Sequence, residues 1–211
     1  MNPKRNGLPP MFGHQAMVPR LIEVVGLCCT WGIKVLTVEV DFLMELFARM
    51  LQEHEEIFMR NEVRVSIIGN PNPVKLPISL QNQITKTTET TKNNSKLHLL
   101  LAINYGGKDD ILQACRKISH KVKDGLMKPE DINESLFDEE LETGITELPY
   151  PDLFIRTSGE LRLSNFLAWQ LAYTELYFKS LWPDFGEREF IMALQSFQRR
   201  QRRFGGQDIK A

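Results

Sequence analysis

The feature that most constrains the fold is the alternation of short β-rich runs with longer stretches of helical period. Ile33 to Val38, Val63 to Ile68, Leu97 to Ile103 and Leu153 to Arg156 read as strands, and Glu175 to Phe178 as a fifth. Between them apolar residues recur at three- and four-residue spacing. Val18, Leu21, Ile22, Val25 and Cys29 form one such stripe, which Gly32 stops. Phe42, Leu43, Leu46, Phe47, Met50 and Leu51 form a second, on a helix expected from Asp41 to Glu56. A polar helix follows from Ile78 to Lys92, and another carries Ile111, Ala114, Cys115, Ile118 and Val122. Pro129 opens a short acidic helical stretch to about Leu141, and a last helix from Glu187 to Arg203 turns Phe190, Leu194 and Phe197 inward. Strands joined by helical crossovers pair in parallel, and a parallel sheet needs cover on both faces. The expected fold is α/β, a mostly parallel central sheet with helices on both faces, in a single domain over residues 1–211.

Two places depart from that pattern. The first helix has no strand before it, because the chain opens with Met1-Asn2-Pro3-Lys4 and continues to Pro9-Pro10. The strand ending at Val38 also meets the helix beginning near Asp41 almost without a loop, where about 2–6 residues are usual. Ligands of open parallel sheets bind at the carboxyl ends of the strands, so the shortfall lies where chemistry is expected.

Composition excludes several functions. Lys plus Arg is 26 and Asp plus Glu 27, a net charge of −1, so no overall field draws in nucleic acid or an anionic membrane. Any anionic ligand must be met by a local cluster of arginines. No apolar run reaches the length of a membrane span, and no secretory signal pattern opens the chain. Cys28, Cys29 and Cys115 have no paired metal spacing and read as small apolar side chains. His14, His54, His98 and His120 are too scattered for a zinc site.

Chemistry concentrates between Asp152 and Phe166. A strand delivers Arg156 to its carboxyl end, a turn containing Gly159 follows, and Arg162 and Ser164 stand two residues apart. Guanidinium forks match phosphate oxygens bidentately, so these three residues suit a phosphate or diphosphate. Ion pairs of Arg156 and Arg162 with nearby Asp152 and Glu160 are the alternative. Glu175 is a single carboxylate in an aromatic and apolar run. A Mg²⁺ ion shared with a diphosphate would satisfy it, as would an arginine of the last helix. The tail from Arg199 to Arg203 packs four arginines before Gly205-Gly206, either a solvated helix end or a phosphate clamp. His14, after Gly13 at the start of the first helix, can cap it or contact phosphate.

Together, Gly13-His14, Asn104-Tyr105-Gly106-Gly107 with Asp110-Ile111, the Ile155-to-Phe166 segment, Ala172 to Phe178, Trp182-Pro183-Asp184-Phe185 and Arg202 to Gly206 resemble the cis-prenyltransferases, the family of undecaprenyl and dehydrodolichyl diphosphate synthases. The chain looks most like its plant short-chain members, such as neryl, Z,Z-farnesyl and lavandulyl diphosphate synthases. The resemblance implies a dimeric α/β fold with an apolar tunnel, joining an allylic diphosphate to isopentenyl diphosphate with Mg²⁺ as cofactor. It implies that Arg156, Arg162 and Ser164 hold the isopentenyl diphosphate, that Glu175 helps bind Mg²⁺, and that His14 lies near the allylic diphosphate. Arg203, Gly205 and Gly206 would reach phosphate across a homodimer interface. It further implies a plastid (chloroplast) stroma location, or otherwise a cytoplasmic one.

The chain also departs from the family. The Asp-Gly-Asn-x-Arg-Trp motif expected before Lys4 is replaced by Met1-Asn2-Pro3, and the Phe-Ser-x-Glu-Asn-Trp loop is missing between Val38 and Glu39. Leu161 stands where some members carry His. The chain is therefore read either as a short-chain synthase whose first strand and two active-site loops are missing from this sequence, or as a non-catalytic partner subunit of a heteromeric enzyme. The synthase reading expects a C10 to C15 product from dimethylallyl diphosphate with isopentenyl diphosphate, or with a second dimethylallyl diphosphate. Phe47, Met50, Leu99 and Leu101 would floor the tunnel, although they also suit an ordinary core. A nucleotide- or sugar-phosphate-binding α/β protein is disfavoured, because neither G-x-G-x-x-G nor a P-loop occurs.

Overall fold

The computed structural model describes residues 17–40, 44–69, 77–157, 159–178 and 185–200. Helix α1 (Met17–Trp31) ends as its sequence suggests. Gly32 takes φ +72°, and the Ile33 N–H turns back to the Cys28 carbonyl at 3.0 Å, which satisfies an orphan carbonyl of the last turn. Strand β1 (Val35–Val40) follows, running two residues beyond the expected end at Val38.

The helix expected from Asp41 to Glu56 is two pieces, α2 (Met44–Glu53) and α3 (Glu55–Arg60). His54 marks the break with φ −112° and ψ 11°; its ring Nδ1 lies 3.1 Å from the Met50 carbonyl, which already accepts the His54 N–H. Such local competition for one carbonyl bends a helix, and three-residue periodicity alone does not reveal it.

Strand β2 (Val63–Ile68), helix α4 (Ile78–Thr91), strand β3 (Leu97–Ile103) and helix α5 (Gly107–Lys123) come next. The acidic stretch after Pro129 divides into a 3₁₀ turn and α6 (Glu134–Glu140), because the Asn133 side chain caps α6 by accepting the Leu136 N–H at 3.0 Å. Strands β4 (Leu153–Arg156) and β5 (Glu175–Phe178) precede α7 (Glu187–Gln198). α7 stops five residues short of Arg203, with Arg199 as its cap and the Arg200 N–H on the Phe197 carbonyl.

All strand pairs are parallel, as expected, yet the described strands form two sheets where one was expected. β1-β3-β2 is one, with Val35 opposite His98 and Val63 opposite Leu97; β4-β5 is the other, with Leu153 opposite Glu175. On one face of the larger sheet Leu97, Leu99, Leu101, Val63 and Val65 pack against Val25 and Cys28 of α1, Phe47, Met50 and Leu51 of α2, and Leu80 of α4. α7 joins this layer through Phe190, whose ring stacks on Trp31 at 5.8 Å. On the other face Ile68 and Ala102 meet Phe166, Leu167 and Leu171. The larger sheet thus sits between two apolar layers, the second of them built largely from the irregular 163–171 segment.

Candidate active site

Arg156 ends β4, opposite Phe178 of β5, so the strand carries its guanidinium to the carboxyl edge. There it lines a cavity of about 790 Å³ whose walls are chiefly apolar, among them Val24, Cys28, Phe47, Leu100, Phe190 and Leu194. This is within the about 300–1,000 Å³ span of small-molecule sites. A permanent cation set into an apolar wall suits a ligand with an anionic head and a hydrocarbon body.

Arg162 is exposed and ion-paired with Glu160 at 3.0 Å, the local pairing that spacing left open. Ser164 opens a left-handed run, with φ 51° there, 64° at Asn165 and 43° at Leu167. This geometry is held from outside the segment. The Asn165 carbonyl accepts the Gly107 N–H at 2.7 Å and its side-chain Oδ1 accepts the Lys108 N–H at 2.9 Å. Two orphan donors of the α5 N-terminus therefore hold the residue next to Ser164. Gly107 permits the approach: a Cβ there would stand 2.6 Å from the Ala168 nitrogen. Sequence reasoning missed Asn165 as the anchor, although Asn tolerates left-handed backbone better than most residues.

Asp109 and Asp110 both lie in the first turn of α5, but Asp110 does more than complement the helix dipole. It is buried, and its carboxylate accepts the Tyr105 hydroxyl at 2.7 Å, the Gln170 amide at 3.3 Å and the Glu142 N–H at 2.9 Å. Gln170 also donates to Thr143 at 2.9 Å. Burial, then the Asp110 carboxylate, push the Tyr105 phenol up, so it stays a donor. Burial also raises Glu142, opposed by the Gly69 N–H that it accepts. The network ties the strand-end turns after β2 and β3 to the segment that carries Arg162 and Ser164.

Glu175 begins β5 and sits opposite Leu153, three strand steps, or about 10 Å, from the level of Arg156. Its carboxylate accepts the Arg200 guanidinium at 2.6 Å. The structure thus shows the arginine pairing that the sequence left open beside Mg²⁺. Among the described residues no group of three or more His, Cys, Asp or Glu side chains gathers as a metal site. A single carboxylate, already paired with a guanidinium, does not make a Mg²⁺ site by itself.

His14, Arg203, Gly205 and Gly206 lie outside the described residues. Phe47 lines the cavity as expected of a floor residue, but Met50, Leu99 and Leu101 do not. Those three are fully packed core side chains, and Leu100, which points to the opposite side of β3 from Leu99 and Leu101, takes their place in the wall. Cys28 and Cys29 are buried, and desolvation raises the Cys28 thiol to about 12; Cys115 is exposed.

A parallel α/β scaffold that sets an arginine into the wall of an apolar cavity has the chemistry to suit an amphiphilic anion. The chain belongs to the undecaprenyl diphosphate synthase family: residues 3–205 match the family described as "Putative undecaprenyl diphosphate synthase". It is 55% identical to dehydrodolichyl diphosphate synthase 2 of Arabidopsis thaliana, across 96% of this chain and 69% of that one. It is 50% identical to the chloroplastic (2Z,6Z)-farnesyl diphosphate synthase CPT6 of Solanum lycopersicum, across 96% and 74%. Among solved structures, lavandulyl diphosphate synthase from Lavandula x intermedia, in complex with dimethylallyl diphosphate, superposes with a TM-score of 0.82 at 36% identity, covering 95% of this chain and 91% of that one. These relatives are named as prenyl diphosphate synthases, in agreement with the motif resemblance. No helix among the described residues is long and apolar enough to cross a membrane.

Proposed function

We propose that the chain is a short-chain cis-prenyl diphosphate synthase that condenses dimethylallyl diphosphate with isopentenyl diphosphate, or with a second dimethylallyl diphosphate, to a C10 to C15 product. The observation that carries this reading is Arg156 in the wall of the apolar cavity. Relatives named as farnesyl and nerylneryl diphosphate synthases support a short product, although dehydrodolichyl synthases stand beside them.

In this reading Arg156, Arg162 and Ser164 hold the acceptor diphosphate, with Asn165 fixing the backbone of Ser164. Arg162 exchanges Glu160 for phosphate oxygens, a small loss because the pair is exposed. His14 lies beside the allylic diphosphate, and Arg203, Gly205 and Gly206 supply phosphate contacts across a homodimer. In the reaction the allylic C–O bond breaks and diphosphate leaves with the electron pair. The acceptor alkene attacks the cation to form the new C–C bond, and a proton is lost. The chain's part is to place the alkene over the ionising carbon, to stabilise diphosphate charge with guanidinium, and to keep water out with apolar walls. Mg²⁺ is the proposed divalent cofactor, supplying further charge neutralisation at the diphosphate. Glu175 would have to leave Arg200 to reach it, so no step is assigned to that residue. Relatives labelled chloroplastic support a plastid location.

The test is incubation of the purified chain with dimethylallyl and isopentenyl diphosphates and Mg²⁺, followed by chromatography of the dephosphorylated products. The expected product is C10 to C15 and disappears with Arg156→Ala. Long polyprenols would refute the chain length; binding of isopentenyl diphosphate without turnover would favour the partner-subunit reading.

A further inference from the structure

Among the buried polar side chains, Gln170 combines two bonds with one missing partner. It is 2% exposed, and its Nε2 donates to the Asp110 carboxylate at 3.3 Å and to the Thr143 hydroxyl at 2.9 Å. Asp110 dictates that orientation, because a carboxylate only accepts and the amide must turn its nitrogen toward it. Gln170 Oε1 is then the one buried side-chain polar atom, among the described residues, that meets no partner. A buried acceptor without a donor costs free energy, and an apolar side chain of similar length would carry no such cost. What the amide contributes is therefore its pair of N–H bonds.

Those bonds fasten the 163–171 segment at a second point. The first turn of α5 already holds it at Asn165, through the Gly107 and Lys108 N–H groups. Asp110, in the same turn, takes hold of it again at Gln170. Asp110 is itself fixed by the Tyr105 hydroxyl at 2.7 Å and the Glu142 N–H at 2.9 Å, and Thr143 belongs to the 3₁₀ turn Glu142–Ile145. A segment held at one point can pivot about it; held at two, its direction is set. Arg162 and Ser164 precede Asn165 in the chain and Gln170 follows it, so a pivot about Asn165 swings both of them.

We propose that Gln170 is a positioning residue of the diphosphate site, its amide setting through Asp110 and Thr143 the direction in which the segment presents Arg162 and Ser164. Gln170 touches no substrate; it acts through the backbone between itself and Ser164. This role presupposes the synthase reading, because what it controls is the hold on isopentenyl diphosphate. Exchanging the amide for a carboxyl makes that hold depend on pH. In Gln170→Glu the shape is kept, but an ionised carboxyl would face Asp110 and repel it, with no proton to donate. Two buried carboxyls in contact share a proton at a pH where either alone would be ionised. The charged groups around this point are Asp109 and Lys117 of α5 and Glu142, with the Tyr105 phenol beside them. Carboxylates outnumber the cation there, which favours the proton further. Once protonated, the new carboxyl donates to Asp110 as the amide does.

The test measures KM and kcat of the purified chain for isopentenyl diphosphate, with dimethylallyl diphosphate and Mg²⁺ present, at about pH 5.5 and about pH 8.5. Each value is taken as a ratio of variant to parent, which removes the titration of Glu142 and of the diphosphate. Gln170→Glu should raise KM about tenfold at the higher pH and about twofold or less at the lower, with kcat changed by less than about threefold. Gln170→Leu, which loses both bonds, should raise KM to a similar extent at both. Thr143→Val, which keeps the Asp110 bond, should raise it about threefold, and it carries the test if Gln170→Glu does not fold. In the substrate-free chain, hydrogen exchange should quicken in these variants at the Phe166 and Leu171 amides, which bond Leu163 and Leu167 within the segment. A Gln170→Glu KM ratio equal at the two pH values, or a fall in kcat with KM unchanged, would mean that Gln170 only stabilises the fold and would overturn the proposal. So would unaltered exchange. If the parent does not bind isopentenyl diphosphate at all, the synthase reading fails, and with it the diphosphate role, whereas the exchange measurement still decides whether Gln170 fastens the segment.

Discussion

Replacing Gly107 by Ala tests whether the α5 N-terminus really carries the diphosphate segment. The new Cβ would stand 2.6 Å from the Ala168 nitrogen, 2.7 Å from its Cβ and 3.1 Å from the Asn165 carbonyl oxygen. Two of these three neighbours are backbone atoms, so side-chain rotation cannot relieve them all, and the helix must move away from the 164–168 turn. Overpacking of this kind costs about 1–3 kcal/mol. The same movement lengthens the bonds from Gly107 N–H and Lys108 N–H to Asn165, each worth about 1 kcal/mol. A loss of about 3 kcal/mol in unfolding free energy is expected, measured by urea denaturation monitored by tryptophan fluorescence. Gly26→Ala is the control. Gly26 lies inside α1 with nothing within 4 Å of an added Cβ, so the same substitution should stabilise by about 1 kcal/mol. Affinity for isopentenyl diphosphate should fall with Gly107→Ala and stay unchanged with Gly26→Ala, because only the first displaces Ser164. A Gly107→Ala variant as stable as the parent would refute the argument, as would one with lowered stability but unaltered diphosphate affinity.

His98 predicts an acid-sensitive stability. Burial, then the neighbouring Arg64 charge, lower its pKa to about 4, while the ring lies 2.8 Å from the Ser66 hydroxyl. Because the folded value is below the ordinary 6.5, stability is intact above that pH and is lost as pH falls from there through 4. With the ring only partly screened from water the loss should be about 1–2 kcal/mol, and His98→Gln should remove that part of the pH dependence of the melting temperature. Glu175→Gln should change stability by about 1 kcal/mol or less, since its pair with Arg200 is partly exposed. A large loss of turnover with little loss of stability would show that the carboxylate leaves Arg200 during the reaction. Phe47→Ala should lengthen the product because Phe47 lines the cavity, whereas Leu99→Ala should leave product length alone and only destabilise, by about 2–5 kcal/mol. An unchanged product from Phe47→Ala removes that residue from the length argument.

What the sequence alone determined is what depends on neighbours along the chain. Strand and helix periods, the Gly32 stop of α1 and the delivery of Arg156 to a strand end were legible because side-chain alternation and capping are set within a few residues. The family was legible because its motifs keep their order along nearly the whole chain. Tertiary structure decided what depends on distant partners. Asn165 holds the start of α5 across more than fifty residues, Asp110 gathers Tyr105, Gln170 and Glu142, and Glu175 pairs with Arg200 rather than standing beside Arg156. The choice of Leu100 over Leu99 for the cavity wall needed the orientation of β3 between its two apolar layers. The pairing of β1 and β2 with β3, and of β4 with β5, needed the order of strands in space. Periodicity states that a residue is buried or strand-forming, but the strand beside it is chosen by the energy of the assembled sheet, and no local stretch of chain carries that information.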